Sequence, residues 1–460
     1  MAGIGFVLRK LMKKREISGV VLAYFHATLA TCGPWLFTVA ALGSFFILFK
    51  NWTPPSAVEN FRAIILYNFS FSLVFSGPFI MITTRYLADC IYTKQLNNAP
   101  GLMLGALICL FAIALPIVSV FYLVYCNLPV VFALMAIANF LIIMGIWELS
   151  VFISAVKYYR SVTFSFLSGM VVAVLFASYL GSFFSSTGML AGFNLGLSLI
   201  LAILITLVFA EYPHTSQNLF GFLKYFKKYW ELALSGLFYN LAIWIDKWIM
   251  WLAPEAQIMP NGLAMYPDYD SAMFAAYLTI IPGMAMFLVS QETAFYEVYL
   301  NYFRAIREHS NLKQIENTYR AIIDCVFQSG RNIILLQSAI CTAAILLAPY
   351  VFELMDMDFI KLGIFRYGVL GSTFQIFLVF LTIFLSYFDY RKGVLLIQTI
   401  FLLTNASFTY ISIQLGFSFF GMGYFFSTLT TFLVAAIIVE RYLQKLPFHT
   451  FITNNTSVDK

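Results

Sequence analysis

Twelve stretches of about twenty or more predominantly apolar residues follow one another along the chain, at 17–49, 61–85, 100–126, 129–156, 161–184, 187–210, 232–253, 271–296, 331–353, 363–386, 393–414 and 418–440. A hydrocarbon layer about 30 Å thick is crossed by roughly 20 residues of helix, and an open sheet edge inside it would leave backbone groups without partners. The runs therefore restrict the chain to an all-α integral membrane fold. A soluble domain would carry roughly a quarter of its residues as charges, whereas only 10% are charged here and the mean hydropathy is +0.86. The longer runs imply tilted or kinked helices.

Basic residues set the orientation. With the N-terminus in the cytoplasm, only Lys50, Arg62, Lys361 and Arg366 of the 27 basic residues fall outside and Lys247 falls within a span, which leaves 22 inside. Lys and Arg collect in cytoplasmic loops, so an N-in, C-in topology with an even number of spans is expected. Residues 1–16 form a basic amphipathic segment suited to an anionic membrane surface, or serve only as a topogenic charge cluster. Spans 1–6 (17–210) and spans 7–12 (232–440) form two expected six-helix lobes, joined by a cytoplasmic linker at 211–231 and followed by a cytoplasmic tail at 441–460. A further cytoplasmic segment, 297–330, interrupts the second lobe. Pro78 and Pro282 occupy comparable positions in spans two and eight, as interrupted helices do in transporters built from repeats.

Few ionisable groups lie within the spans. The seventh, around Ile245-Asp-Lys-Trp-Ile249, holds Asp246 and Lys247, the fourth holds Glu148, and Glu292 stands near the inner end of the eighth. A charge at such depth costs roughly 2.5–3.5 kcal/mol on insertion scales, so Asp246, Lys247 and Glu148, with Arg62 and Arg366 at outer helix ends, are candidates for a transport path, while Glu292 reads as an inner-interface carboxylate reaching cytoplasmic water. Neighbouring helix positions point about 100° apart, so Asp246 and Lys247 each require a partner on another helix. By depth, Arg62 and Arg366 suit Asp246. Lys247 either finds such a partner or snorkels outward past an aromatic anchor of Trp248 and Trp251. Glu148 lies too deep on the inner side to pair with Lys247, and faces either the path or cytoplasmic water.

Enzymatic motifs are missing. There is no GxxxxGK[ST] phosphate loop, no GxSxG elbow and no HExxH pair. Six scattered cysteines offer no metal spacing and read as small core residues, so no metal, no cofactor and no nucleic-acid partner is expected. Two DxD pairs, Asp268–Asp270 and Asp356–Asp358, fall outside, where cytosolic nucleotide sugars are absent. They read as solvated loop acids, or as an acidic mouth that would draw a cationic polymer outward. In the 297–330 segment, Leu312, Ile315, Tyr319, Ile322 and Val326 form a stripe that packs on the protein's own inner face, lies on the membrane or docks a partner helix.

The opening MAGIGFVLRK, the basic cluster after it, Ser76-Gly77-Pro78, twelve spans and the Ile245–Ile249 segment together resemble the Pel exopolysaccharide transporter family, the PelG-like membrane proteins. More distantly, the six-plus-six plan and the Asp-Lys of span seven are similar to the polysaccharide flippases of the MATE/MOP superfamily. The resemblance implies a multi-pass protein of the bacterial inner membrane that exports a galactosamine-rich, biofilm-type polymer. It also implies work with a cytosolic glycosyltransferase and other inner-membrane Pel subunits, surrounded by membrane lipids. Two other classes stay open: a cation-coupled antiporter of small compounds, with Asp246 or Glu148 exchanging the cation, and a membrane scaffold for a polysaccharide synthase.

Overall fold

The computed structural model describes residues 55–94, 96–155, 159–212, 218–354 and 361–453. The first expected span, the basic segment 1–16, and Asp356 and Asp358 lie outside the described residues. Within the described residues the later expected spans are mostly helical, and nine helices are long and apolar enough to cross a membrane. Packing divides the described chain into two units, residues 55–244 with 251–266, and residues 245–250 with 267–453. That division does not fall at the 211–231 linker, because most of the seventh span packs with the helices before it.

In the first unit the order is α1 (Pro55–Tyr92), α2 (Ala99–Val120), α3 (Val130–Ala155), α4 (Tyr159–Glu211), α5 (Leu223–Lys228) and α6 (Trp230–Met250), followed by a two-stranded ribbon, β1 (Gln257–Ile258) and β2 (Ala264–Met265). α3 packs against both α1 and α4. α4 contains two of the expected spans, folded back at Ser185, whose φ of 53° and ψ of −137° are not helical. The returning arm lies hard against the first: Gly188, Gly192 and Gly196 meet the backbone at Leu180, Ala177 and Gly169, where any side chain would collide. Small residues let two membrane helices approach this closely.

An uncharged polar chain runs through the core of this unit. Tyr122 Oη donates to Asn68 Oδ1 at 2.6 Å, Asn68 Nδ2 to Asn139 Oδ1 at 2.8 Å, and Asn139 Nδ2 to Asn194 Oδ1 at 2.7 Å. Asn194 Nδ2 closes the chain on the Met135 carbonyl at 2.8 Å. Such partners let polar side chains be buried among apolar helices and hold those helices in register.

The second unit contains α7 (Pro267–Leu278), α8 (Ile281–Ser290), α9 (Tyr296–Arg307), α10 (Leu312–Leu354), α11 (Leu362–Tyr387), α12 (Arg391–Leu415) and α13 (Met422–Gln444). α11 is the most buried and packs against α7, α10, α12 and α13. The two prolines behave differently. Pro78 sits inside an unbroken α1, whereas Pro282 marks a break between α7 and α8. At that break Gln337 of α10 donates from Nε2 to the Thr279 carbonyl at 3.0 Å, a side-chain repair of the kind that makes an interrupted helix tolerable away from water.

The stripe on α10 is largely covered by the chain itself. Ile322 and Val326 are buried and Tyr319 Oη donates to the Leu443 carbonyl at 2.8 Å, although Leu312 is 80% exposed.

Candidate functional site

The last turn of α6 carries Asp246 and Lys247 into the second unit. Both are buried, at 0% and 5% exposure. Lys247 Nζ lies 3.1 Å from Asp246 Oδ1 and 3.0 Å from Oδ2, a bidentate contact between sequence neighbours. The expectation that the two side chains point apart is therefore corrected, although each also finds a partner on another helix, α7. A 100° step fixes the direction of each Cβ, but the four-carbon stem of lysine is long enough to swing the ammonium back over the adjacent carboxylate. Away from water that attraction is far stronger than at a surface, and the buried ammonium does not snorkel.

Tyrosines complete the enclosure. Tyr269 of α7 donates from Oη to Asp246 Oδ2 at 3.0 Å, and Lys247 Nζ donates to Tyr277 Oη at 3.2 Å. The ammonium also stands 4.6 Å from the centre of the Tyr277 ring and 5.9 Å from that of Tyr424 on α13. A cation near an aromatic face is attracted by the ring quadrupole, most strongly when desolvated. The Tyr277 and Tyr424 rings meet edge to face at 5.5 Å, and Tyr424 Oη donates to Gln375 Oε1 on α11. Four helices of one unit thus converge on a net-neutral ion pair lined by phenols and an amide. Such a set can exchange hydrogen bonds with hydroxyl-rich ligands and stack on sugar rings.

The remaining candidates are not drawn into this cluster. Arg366, on α11, is exposed. Arg62, in the first unit, is exposed as well; within the second unit the hydrogen bonds of Asp246 go to Lys247 and Tyr269 and not to Arg366. Trp251 is buried and stacked on Tyr67 at 4.6 Å, which rules out an interfacial anchor at that position. Glu148 is fully buried in α3, and Thr83 of α1 is the polar side chain beside its carboxyl group. Of the acids expected at an outer mouth, Asp268 is paired with Lys361 at 3.1 Å, and Asp268 and Asp270 both occupy the first turn of α7, where negative charge complements the helix dipole. Among the described residues no group of three or more His, Cys, Asp or Glu could hold a metal.

Tyr269, Tyr277, Tyr424 and Gln375 were not singled out by the sequence. Tyr269 and Tyr277 are eight residues apart, hence on one helix face, and Gln375 is an amide inside an apolar run. Those are the signals that mark them.

A family model described as PelG, "Putative exopolysaccharide Exporter (EPS-E)", matches residues 1–451. No curated protein sequence matches the chain. Among solved structures, a MATE transporter in a bent conformation superimposes with a TM-score of 0.63 at 13% identity, covering 96% of this chain and 98% of the other. An outward-facing multidrug resistance MATE family transporter of the MOP superfamily gives 0.62 at 14% identity, with coverage of 92% and 96%. A MOP superfamily transporter from Pyrococcus furiosus, described as having a binding pocket of reverse polarity, gives 0.61 at 14% identity, with coverage of 91% and 96%. At such identities the likeness is one of fold.

Proposed function

The chain belongs to the PelG family of exopolysaccharide exporters, and from that membership we propose that it carries a growing polysaccharide from the cytoplasm to the far side of the bacterial inner membrane. It is a multi-pass membrane protein with a MATE-like transporter fold. The polymer is a Pel-type, galactosamine-rich chain, made by a cytosolic glycosyltransferase and handed over with other inner-membrane subunits. The protein itself performs no chemistry on it. Both termini face the cytoplasm, and twelve spans form two lobes. The acids Asp268, Asp270, Asp356 and Asp358 belong to the exit side.

The observation that carries the transport reading is the buried Asp246–Lys247 pair in its tyrosine lining. A fold needing only stability gains little from a buried ion pair, since apolar residues of similar volume serve as well or better. Retaining the charges inside phenols and an amide fits an element that trades its internal hydrogen bonds for those of a passing polyhydroxylated chain. The test is secretion of polymer by a deletion strain complemented with the parent, Lys247→Met or Asp246→Leu, with membrane abundance measured in parallel. Parental secretion by both variants at parental abundance would sink the assignment.

Glu148 favours a second reading, in which export is coupled to a cation. Glu148 is fully buried in a span, and a carboxyl group at such depth is a candidate relay for a proton or another cation. Glu148→Gln mimics the loaded form; export that is unchanged by this substitution and by collapse of the proton gradient would remove the coupled reading.

A further inference from the structure

A cleft opens within the first unit. It encloses about 190 Å³ and draws its lining from four separate segments: Asn60 at the start of α1, Asn127 and Phe132 around the entry to α3, Ser186 and Thr187 at the fold of α4, and Asn261 in the ribbon. Pockets for drug-sized ligands run from about 300 Å³ upward, so this one suits a single small ring. None of its lining residues carries a charge.

The hydrogen-bonding capacity of the cleft is only partly used. Asn261 is committed: its Nδ2 donates to Asn60 Oδ1 at 3.0 Å, its Oδ1 accepts from the Leu263 amide at 3.0 Å, and its carbonyl accepts from the Asn127 amide at 3.2 Å. These bonds fix the ribbon against α1 and the α2–α3 turn. Among the described residues, the Asn60 amide nitrogen, the Asn127 side chain and the Ser186 and Thr187 hydroxyls have no protein partner. Two amides and two hydroxyls, all neutral, thus line the cleft together with the buried Phe132. Neutral donors and acceptors side by side match a pyranose, whose hydroxyls both give and accept hydrogen bonds.

The cleft lies at a defined end of the unit. Asn60 and Arg85 are 25 residues apart on α1, about 37 Å at 1.5 Å per residue. The Arg85 end is the one that packs under α5: Tyr225 Oη donates to Asp89 Oδ2 at 3.0 Å, and Arg85 stands 5.0 Å from the Tyr229 ring. The basic linker is therefore at the opposite end from the cleft.

We propose that the cleft formed by Asn60, Asn127, Phe132, Ser186 and Thr187 is a binding site for one neutral sugar unit. The inference deepens the export reading and rests on it for the ligand class: with the basic linker in the cytoplasm, the cleft stands where the polymer emerges. It holds an uncharged residue of the chain, an N-acetylated rather than a free amino sugar, because no lining carboxylate compensates an ammonium.

The test uses the full chain in nanodiscs, titrated calorimetrically with the N-acetylglucosamine trimer and, separately, with its de-acetylated, cationic counterpart. The parent should bind the neutral trimer and bind the cationic one more weakly. Asn127→Ala and Thr187→Ala should each weaken binding roughly three- to tenfold, as expected for one lost hydrogen bond, and Thr187→Trp, which fills the cleft, should abolish it. If the tryptophan variant does not fold, Asn127→Ala decides, since that side chain is exposed. No binding by the parent, equal or tighter binding of the cationic trimer, or binding indifferent to Asn127→Ala would overturn the proposal. Failure of the export reading is separately visible: a complemented deletion strain that secretes no polymer would refute export while leaving these isotherms as they are.

Discussion

Lys247 closes its ammonium over the carboxylate of Asp246, the residue immediately before it, at 3.0 Å from Oδ2, so two charges that helix geometry separates at Cβ meet at their tips. Removing one partner strands the other, at a cost of roughly 3–5 kcal/mol, whereas replacing both with apolar groups is often neutral. Asp246→Leu and Lys247→Met should each reduce membrane abundance and thermal stability, and the double variant should recover both. If the pair serves transport, the double variant stays defective in polymer secretion despite normal abundance. Measuring the two readouts together separates the structural contribution from the functional one.

A second prediction concerns Ser76-Gly77-Pro78. A Cβ on Gly77 would lie 2.8 Å from the Gly236 carbonyl oxygen and 2.5 Å from Asn240 Nδ2, and that same amide donates to the Leu73 carbonyl at 3.0 Å. α1 and α6 therefore touch backbone to backbone. Gly77→Ala should destabilise the protein by about 1–3 kcal/mol, the usual range for overpacking, and Gly77→Leu should abolish accumulation. Thermal unfolding followed by fluorescence-detected gel filtration would check it; parental stability for Gly77→Ala would contradict the close contact.

The break at Pro282 gives a third. Gln337→Leu deletes the donor that satisfies the Thr279 carbonyl and should cost about 1–3 kcal/mol, the price of leaving a buried acceptor unsatisfied. Hydrogen exchange at residues 276–284 should rise in the variant while that of α12 and α13 stays unchanged.

A pH dependence is expected at the C-terminal end. His449 stacks on Tyr442 at 4.7 Å with an interplanar angle of 8°, and burial, followed by the charge of Lys445, holds its imidazole below the usual histidine value. The fold prefers the neutral ring. Its stabilising effect is complete above the unfolded value near 6.5 and is lost as pH falls through the lower, folded value. Protease sensitivity of residues 446–453 should therefore increase from about pH 7 to pH 5, and His449→Phe, which keeps the stacking without the charge, should remove the dependence.

How far the sequence carries depends on which physical quantity it encodes. Helical runs were legible because each depends only on a stretch of apolar side chains, and among the described residues nine helices are long and apolar enough to cross a membrane, Trp230–Met250 not among them. Burial of Asp246 and Lys247 was legible from the depth argument. Their mutual pairing was not, because periodicity describes where a side chain starts and says nothing about where a flexible one ends. Pro78 and Pro282 look equivalent in sequence, and the Gln337 amide that satisfies the backbone at the broken helix lies some 55 residues further along the chain than Pro282, beyond the reach of any local pattern. The amides Asn68, Asn139 and Asn194 each read as a lone polar residue in an apolar run. Their partnership arises from packing that no local pattern records.

The pairing of Asp246 with Lys247 has an electrical consequence. One elementary charge moved through the whole membrane field exchanges about 2.3 kcal/mol with every 100 mV of potential. The two residues sum to zero and ride on the same turn of α6, so a motion that carries them together does no net work against the voltage. The amide chain of Tyr122, Asn68, Asn139 and Asn194 is uncharged as well. A rearrangement of these elements is therefore blind to the membrane potential while the pair is intact, and becomes voltage-sensitive once Asp246 is neutralised and Lys247 is left as a gating charge.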